Sequence, residues 1–296
     1  MELNTKNITK KNKPYTYFFI DNIFDNNIYE DLQFTFPTLN NYRLITSKSS
    51  SNKASNKDGK WIFDKKNYEE WNHFFLNPKN NNWKNLIEII NSEKFLNDLK
   101  KLFYEDLKLS HKDIVDKKWV YDDDSSDEEV FENFEIMEKP NIQFTKMENG
   151  SFLLPHKDSP NKVFTLIFYF PSKNWILNDS RGGGTNIHKV YYPEASVDFR
   201  NIYYQFSEFT KHFESIDYKS NRLMGFIKDK KSYHSIGPIE SKESVYRDAF
   251  VVNISTKNYP SKAYMNKYFF KSLEILGKLM FKLTTIWKKL KKFYNN

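Results

Sequence analysis

Five residues in this 296-residue chain have the types and spacing to do chemistry together: His156, Asp158, His234, Arg247 and Tyr169. His156 and Asp158 flank Lys157, and in an extended segment residues i and i+2 point to the same side. Both can therefore face one ion while Lys157 faces away. Two imidazoles and one carboxylate can occupy one face of an Fe(II) ion and leave positions open for a co-substrate and oxygen. His234 follows within Ser232-Tyr233-His234. Arg247 lies in the strand-like run Val245–Ile254, where a fixed guanidinium needs an anionic partner and can grip a carboxylate through two hydrogen bonds.

A histidine followed two residues later by an acid is weak evidence alone, because the chain holds six histidines and 38 acidic residues. Three such pairs occur: His111/Asp113, His156/Asp158 and His212/Glu214. Context separates them. His156 sits between two β-prone runs, 141–147 and 163–170, with Gly150 in the intervening turn. His111 stands among Lys112, Asp113, Asp116, Lys117 and Lys118 and reads as a solvated surface histidine. His212 lies among Phe206, Phe209 and Phe213 and reads as a core or pocket histidine. His73 and His188 have no ligand spacing, although His188 could line a pocket beside Gly182-Gly183-Gly184. That glycine run removes the Cβ barrier to close backbone approach; a plain hairpin turn is the alternative. For Arg247 the alternative is a salt bridge to Asp248 or an outward-facing side chain.

In this order the His-x-Asp pair, glycine run, second histidine and arginine resemble the 2-oxoglutarate/Fe(II)-dependent oxygenase superfamily, especially its prolyl-hydroxylase-like branch. The resemblance covers about residues 141 to 255. It implies a double-stranded β-helix, or jelly roll, with Fe(II) on His156, Asp158 and His234. It also implies 2-oxoglutarate held through its far carboxylate by Arg247, a contact from Tyr169, O2 as co-substrate and ascorbate as an optional addition. The implied activity is hydroxylation of a C–H bond in a peptide residue, proline among them, or in a small metabolite. Many relatives carry a small hydroxyl residue two positions after the arginine, where this chain has Ala249. The nucleic-acid demethylases of the superfamily carry a second arginine six positions after the first, where this chain has Asn253, so nucleic acid is not the expected partner. A jelly-roll binding or structural protein with a coincidental His-x-Asp…His pattern is the alternative from another class. A cupin-like metal enzyme is a third, which would leave Arg247 without a task.

The elements that must position these residues are partly legible. Apolar runs at 141–147, 163–170, 187–192, 221–227 and 245–255 suit strands of a jelly roll. Residues 15–20 read as a strand and 27–34 as a helix. Trp83, Leu86, Ile87 and Ile90 mark a helix with one buried stripe. Ser92 caps the next helix, whose Phe95, Leu96, Leu99, Leu102 and Phe103 repeat the pattern. The expected class is α+β, mostly β: a support region over 1–135, an oxygenase core over 136–260, and a basic amphipathic helix over 261–296.

The last segment carries nine lysines against one glutamate, which accounts for the net charge of +8. Packing on the barrel or on a second copy, a peripheral membrane contact and nucleic-acid binding are its competing uses. The acidic run Asp122–Glu129 lacks EF-hand spacing and reads as a solvated loop, as do 41–60, 171–181 and 193–220.

With no cysteine, disulfides, thiolate metal sites and cysteine nucleophiles are excluded. Aromatic residues are 18% of the chain against 39% for all hydrophobic residues, so the core should be built largely from rings. The N-terminus lacks an apolar signal core and no stretch reads as membrane-spanning, so a cytoplasmic location is expected.

Overall fold

The computed structural model describes residues 1–44, 60–122, 133–159, 161–190, 210–242 and 244–257. The expected C-terminal helix at 261–296, nearly all of the acidic run and most of the expected loops 41–60 and 193–220 lie outside these residues.

Strand residues outnumber helical ones among the described residues. The strands are β1 (Ile8–Lys11), β2 (Tyr17–Asp21), β3 (Arg43–Leu44), β4 (Lys60–Phe63), β5 (Lys118–Tyr121), β6 (Phe134–Met137), β7 (Asn141–Met147), β8 (Leu153–His156), β9 (Lys162–Tyr169), β10 (Thr185–Val190), β11 (Thr210–Ile216), β12 (Arg222–Ile227), β13 (His234–Ile236) and β14 (Arg247–Ser255). Eight of them form one antiparallel sheet in the order β1-β2-β12-β9-β14-β7-β4-β3. Four more form a smaller antiparallel sheet, β11-β10-β13-β8, and β5 pairs with β6 in parallel.

The large sheet has two chemically different faces because side chains alternate along each strand. One face carries Phe144, Phe164, Phe168, Phe250, Val252 and Ile254, all buried. The helices α1 (Asn26–Phe34), α2 (Tyr68–Leu76), α3 (Asn81–Ile90), α4 (Glu93–Leu102) and α5 (Tyr104–Ser110) supply the apolar residues that close over it. Trp83 of α3 packs against Phe144 at 4.7 Å and Phe250 at 5.2 Å between ring centroids. Each fully buried ring contributes about 1.5–3 kcal/mol, which makes this face the main stabilising layer. Ser92 caps α4 as expected, its Oγ accepting from the Phe95 amide.

The other face of the same strands presents Gln143, Thr145, Thr165, Ile167, Arg247, Val251 and Asn253. With Leu153, His156, Thr185, His234 and Ile236 of the small sheet, these residues line a cavity of about 320 Å³ between the two sheets.

Three expectations need correction. The stretch 171–181, expected as loop, contains the short helix α6 (Lys173–Leu177), capped by Ser172. The stretch 193–220 contains β11, a strand at the edge of the small sheet. Its residues are mostly exposed or half-buried, so no apolar alternation marks it. The expected loop 41–60 contains β3 at Arg43–Leu44, and its last residue, Lys60, opens β4, which pairs with both β3 and β7.

Candidate metal centre

β8 and β13 lie side by side in the small sheet with His156 and His234 in register. Their ring centroids are 4.3 Å apart. Asp158, just past the end of β8, comes back to the pair: one ligand atom from each of His156, Asp158 and His234 lies within 4.8 Å of the others. Among the described residues this is the one cluster of three or more potential metal ligands. Lys157 between them is 2% exposed and points elsewhere, with its ammonium over the Tyr233 ring.

Both histidines are oriented the same way. His156 Nδ1 lies 2.8 Å from the Leu154 carbonyl and His234 Nδ1 lies 3.2 Å from the Ser232 carbonyl. A carbonyl can only accept, so each Nδ1 carries the proton and, in the neutral ring, Nε2 carries the lone pair. Such outer contacts fix the tautomer and ring angle that a metal-binding histidine needs. Burial, only partly countered by Asp158, holds His234 below its ordinary pKa and keeps it neutral. Burial would raise the Asp158 carboxyl, yet Lys162, His234, His156 and the Thr165 hydroxyl together hold it far below the usual carboxylate range. Asp158 is therefore an anion. Neutral imidazoles and an ionised carboxylate are the forms in which these side chains bind a divalent cation.

Arg247 opens β14 and is 2% exposed. Its Nε donates to the Gly183 carbonyl, and its guanidinium sits between the rings of Tyr169 at 5.5 Å and Tyr218 at 5.4 Å. Nη2 is buried without a hydrogen-bond partner among the described residues. A salt bridge to Asp248 is ruled out by alternation: Asp248 points to the helical face, where Lys146 holds it at 2.7 Å. A buried charged donor left unsatisfied is costly, and this one belongs to a side chain that lines the cavity shared with the triad.

Each member of the glycine run has a spatial reason. A Cβ on Gly182 would collide with the Pro238 carbonyl and one on Gly184 with the Ile216 carbonyl, and Gly182 and Gly183 both have positive φ. The backbone can thus come close enough for the Gly183 carbonyl to hold Arg247.

Tyr169 does not itself line the cavity; its ring packs on Arg247, and its hydroxyl lies 2.6 Å from Thr185 Oγ1, which does. His188 is buried and turned away from the cavity, its Nε2 2.7 Å from Ser235 Oγ. His212 is exposed on β11 rather than in a core or pocket, bonded to Ser215 at 2.8 Å. His111 is half-buried, not solvated, with Nδ1 2.8 Å from Ser110 Oγ. His73 is exposed on α2.

Sequence reasoning missed three residues of the site. Thr165 donates to Asp158 Oδ2 at 2.6 Å, and Lys162 pairs with Asp158 Oδ1 at 2.9 Å. A hydroxyl inside the apolar run 163–170 and a lysine four residues after the aspartate were the available signals. Tyr218, whose hydroxyl donates to the Asp248 carbonyl and accepts from the Asp248 amide at 2.7 Å each, lay in an expected loop and had no signal.

No protein-family model matches the chain, and no curated protein matches it in sequence. Among solved structures it is similar to a prolyl hydroxylase from Trichoplax adhaerens, in complex with a hypoxia inducible factor oxygen degradation domain peptide fragment. That match has 14% identity and a TM-score of 0.42 over 84% of this chain and 87% of that one. It is also similar to a prolyl 4-hydroxylase from Phytophthora capsici, at 14% identity and a TM-score of 0.38, over 90% of this chain and 68% of that one. A prolyl-4-hydroxylase from Pseudomonas putida matches at 11% identity and a TM-score of 0.27, over 41% of this chain and 54% of that one. No helix among the described residues is long and apolar enough to cross a membrane.

Proposed function

We propose that this protein is a 2-oxoglutarate- and Fe(II)-dependent oxygenase that hydroxylates a C–H bond of a peptide residue or a small metabolite. The observation that carries this reading is one cavity holding both His156, Asp158 and His234 within ligand distance of one another and a buried arginine with an unsatisfied Nη2. The two antiparallel sheets that bound the cavity support a double-stranded β-helix core over 136–260, with the helices of 1–135 packed outside it.

The donor set fits Fe(II): two imidazole nitrogens and one carboxylate, with no thiolate in the chain. His156, Asp158 and His234 would hold the metal, and Arg247 would bind the far carboxylate of 2-oxoglutarate. Bound iron supplies, with 2-oxoglutarate and O2, an oxidant strong enough for an unactivated C–H bond. The protein's part is positional. The Leu154 and Ser232 carbonyls aim the two Nε2 lone pairs. Gly183, Tyr169 and Tyr218 fix the guanidinium so that little freedom remains to be lost when a dicarboxylate arrives. The apolar walls from Ile167, Ile236 and Val251 limit water beside the triad.

The test is anaerobic titration with Mn(II) and then 2-oxoglutarate, followed by substrate-free conversion of 2-oxoglutarate to succinate with Fe(II) and air. The wild-type protein binds both and forms succinate. His156→Ala loses the metal, and Arg247→Met keeps the metal but loses 2-oxoglutarate. A wild-type protein that binds neither would end the proposal.

A further inference from the structure

The carboxylate the metal needs is already engaged on both oxygens. Lys162 Nζ lies 2.9 Å from Asp158 Oδ1, and Thr165 Oγ1 donates to Oδ2 at 2.6 Å. Lys162 is not a loose surface lysine. Its amide bonds the Ser159 carbonyl at 3.2 Å, closing a turn that returns the chain onto Asp158. It opens β9 and pairs with Ser255 of β14. Its side chain is 19% exposed, that of Asp158 12%, and both line the cavity.

An ammonium and a divalent ion cannot share one carboxylate without repulsion, which is strong at such range away from bulk water. In the metal-free protein the same ammonium offsets the charge of a carboxylate that has been taken out of water. Resting on the metal reading above, we propose that Lys162 is an internal competitor for the metal: it neutralises Asp158 in the empty site and weakens the affinity of the loaded one. Ordinary surface lysines do not act this way, because solvent screens them and leaves them free to swing aside. Thr165 plays the opposite part, as a neutral donor that orients the carboxylate without opposing a cation.

The experiment uses Mn(II) alone as the probe, without substrate or turnover. Wild type, Lys162→Met and Lys162→Arg are titrated with Mn(II), the free ion being followed by electron paramagnetic resonance, and each is melted with and without metal. Lys162→Met binds Mn(II) about tenfold tighter or more than wild type. It melts lower when metal-free and gains more in melting temperature on adding Mn(II). Lys162→Arg, which keeps the charge, stays within about threefold of wild type. Affinity in folded Lys162→Met equal to or weaker than wild type overturns the proposal. Should Lys162→Met not fold, Lys162→Gln is judged by the same criterion. Absence of Mn(II) binding to wild type would instead sink the metal reading itself, and this inference with it.

Discussion

His156 and His234 face each other across neighbouring antiparallel strands, ring centroids 4.3 Å apart, each with Nδ1 against the carbonyl two residues before it. The repeated local geometry makes the two rings equivalent donors. Asp158 completes the set through a two-residue offset from His156. Replacing Asp158 by Asn removes the anion but keeps the shape. Mn(II) affinity should fall by more than about 100-fold, with the circular dichroism spectrum unchanged. Retention of wild-type affinity would show that the carboxylate is not a ligand.

Arg247 should act on the co-substrate and not on the metal. Losing a buried, hydrogen-bonded charge pair costs about 2–5 kcal/mol, so Arg247→Met should weaken 2-oxoglutarate binding by roughly 30-fold or more. Mn(II) affinity should be unaltered. Calorimetry with Mn(II) and then 2-oxoglutarate separates the two effects, and an equal loss of both would make Arg247 a structural residue.

Thr165 isolates one hydrogen bond to the metal-binding carboxylate. Thr165→Ser keeps the hydroxyl and should bind Mn(II) like wild type. Thr165→Val keeps the volume, loses the donor, and should lower affinity by about 10-fold. If the two variants bind alike, the hydroxyl does not orient Asp158.

Gly184 faces the Ile216 backbone with no room for a methyl group. Because the obstacle is backbone, Gly184→Ala must displace the turn that carries the Gly183 carbonyl to Arg247. We expect a loss of about 2–3 kcal/mol in urea unfolding, together with weaker 2-oxoglutarate binding. Wild-type stability in this variant would mean the turn yields more easily than its geometry indicates.

His111 should make stability fall in mild acid. Burial, with a smaller push from Lys228, lowers its pKa from the ordinary 6.5 to about 4. The folded state therefore prefers the neutral ring. The stability this group contributes is complete above its unfolded pKa and is lost as pH falls from 6.5 through 4. His111→Gln should flatten the decline of melting temperature across that window. A slope identical to wild type would place the acid sensitivity elsewhere.

Much of the core was legible because its central strands are apolar runs rich in β-forming residues, buried along nearly their whole length. The runs around 141–147, 163–170, 221–227 and 245–255 became β7, β9, β12 and β14, the middle of the large sheet. The edge strands β1, β3 and β11 were not, since an exposed edge is not required to alternate apolar and polar residues. Short α6 was hidden for a related reason: with five residues it has too few turns to show a period.

The sequence by itself determined which side chains could bind a cation and that His156 and Asp158 would face one way, because local backbone geometry governs neighbours two apart. It could not set the register that seats His234 against His156, the distance from Arg247 to the glycine run, or the turn that lays Lys162 on Asp158. Those follow from hydrogen-bonded pairing between segments remote in the chain and from burial of the large sheet under its helices. Only the folded molecule decided that Asp248 pairs with Lys146 on one face while Arg247 is left with a spare donor on the other.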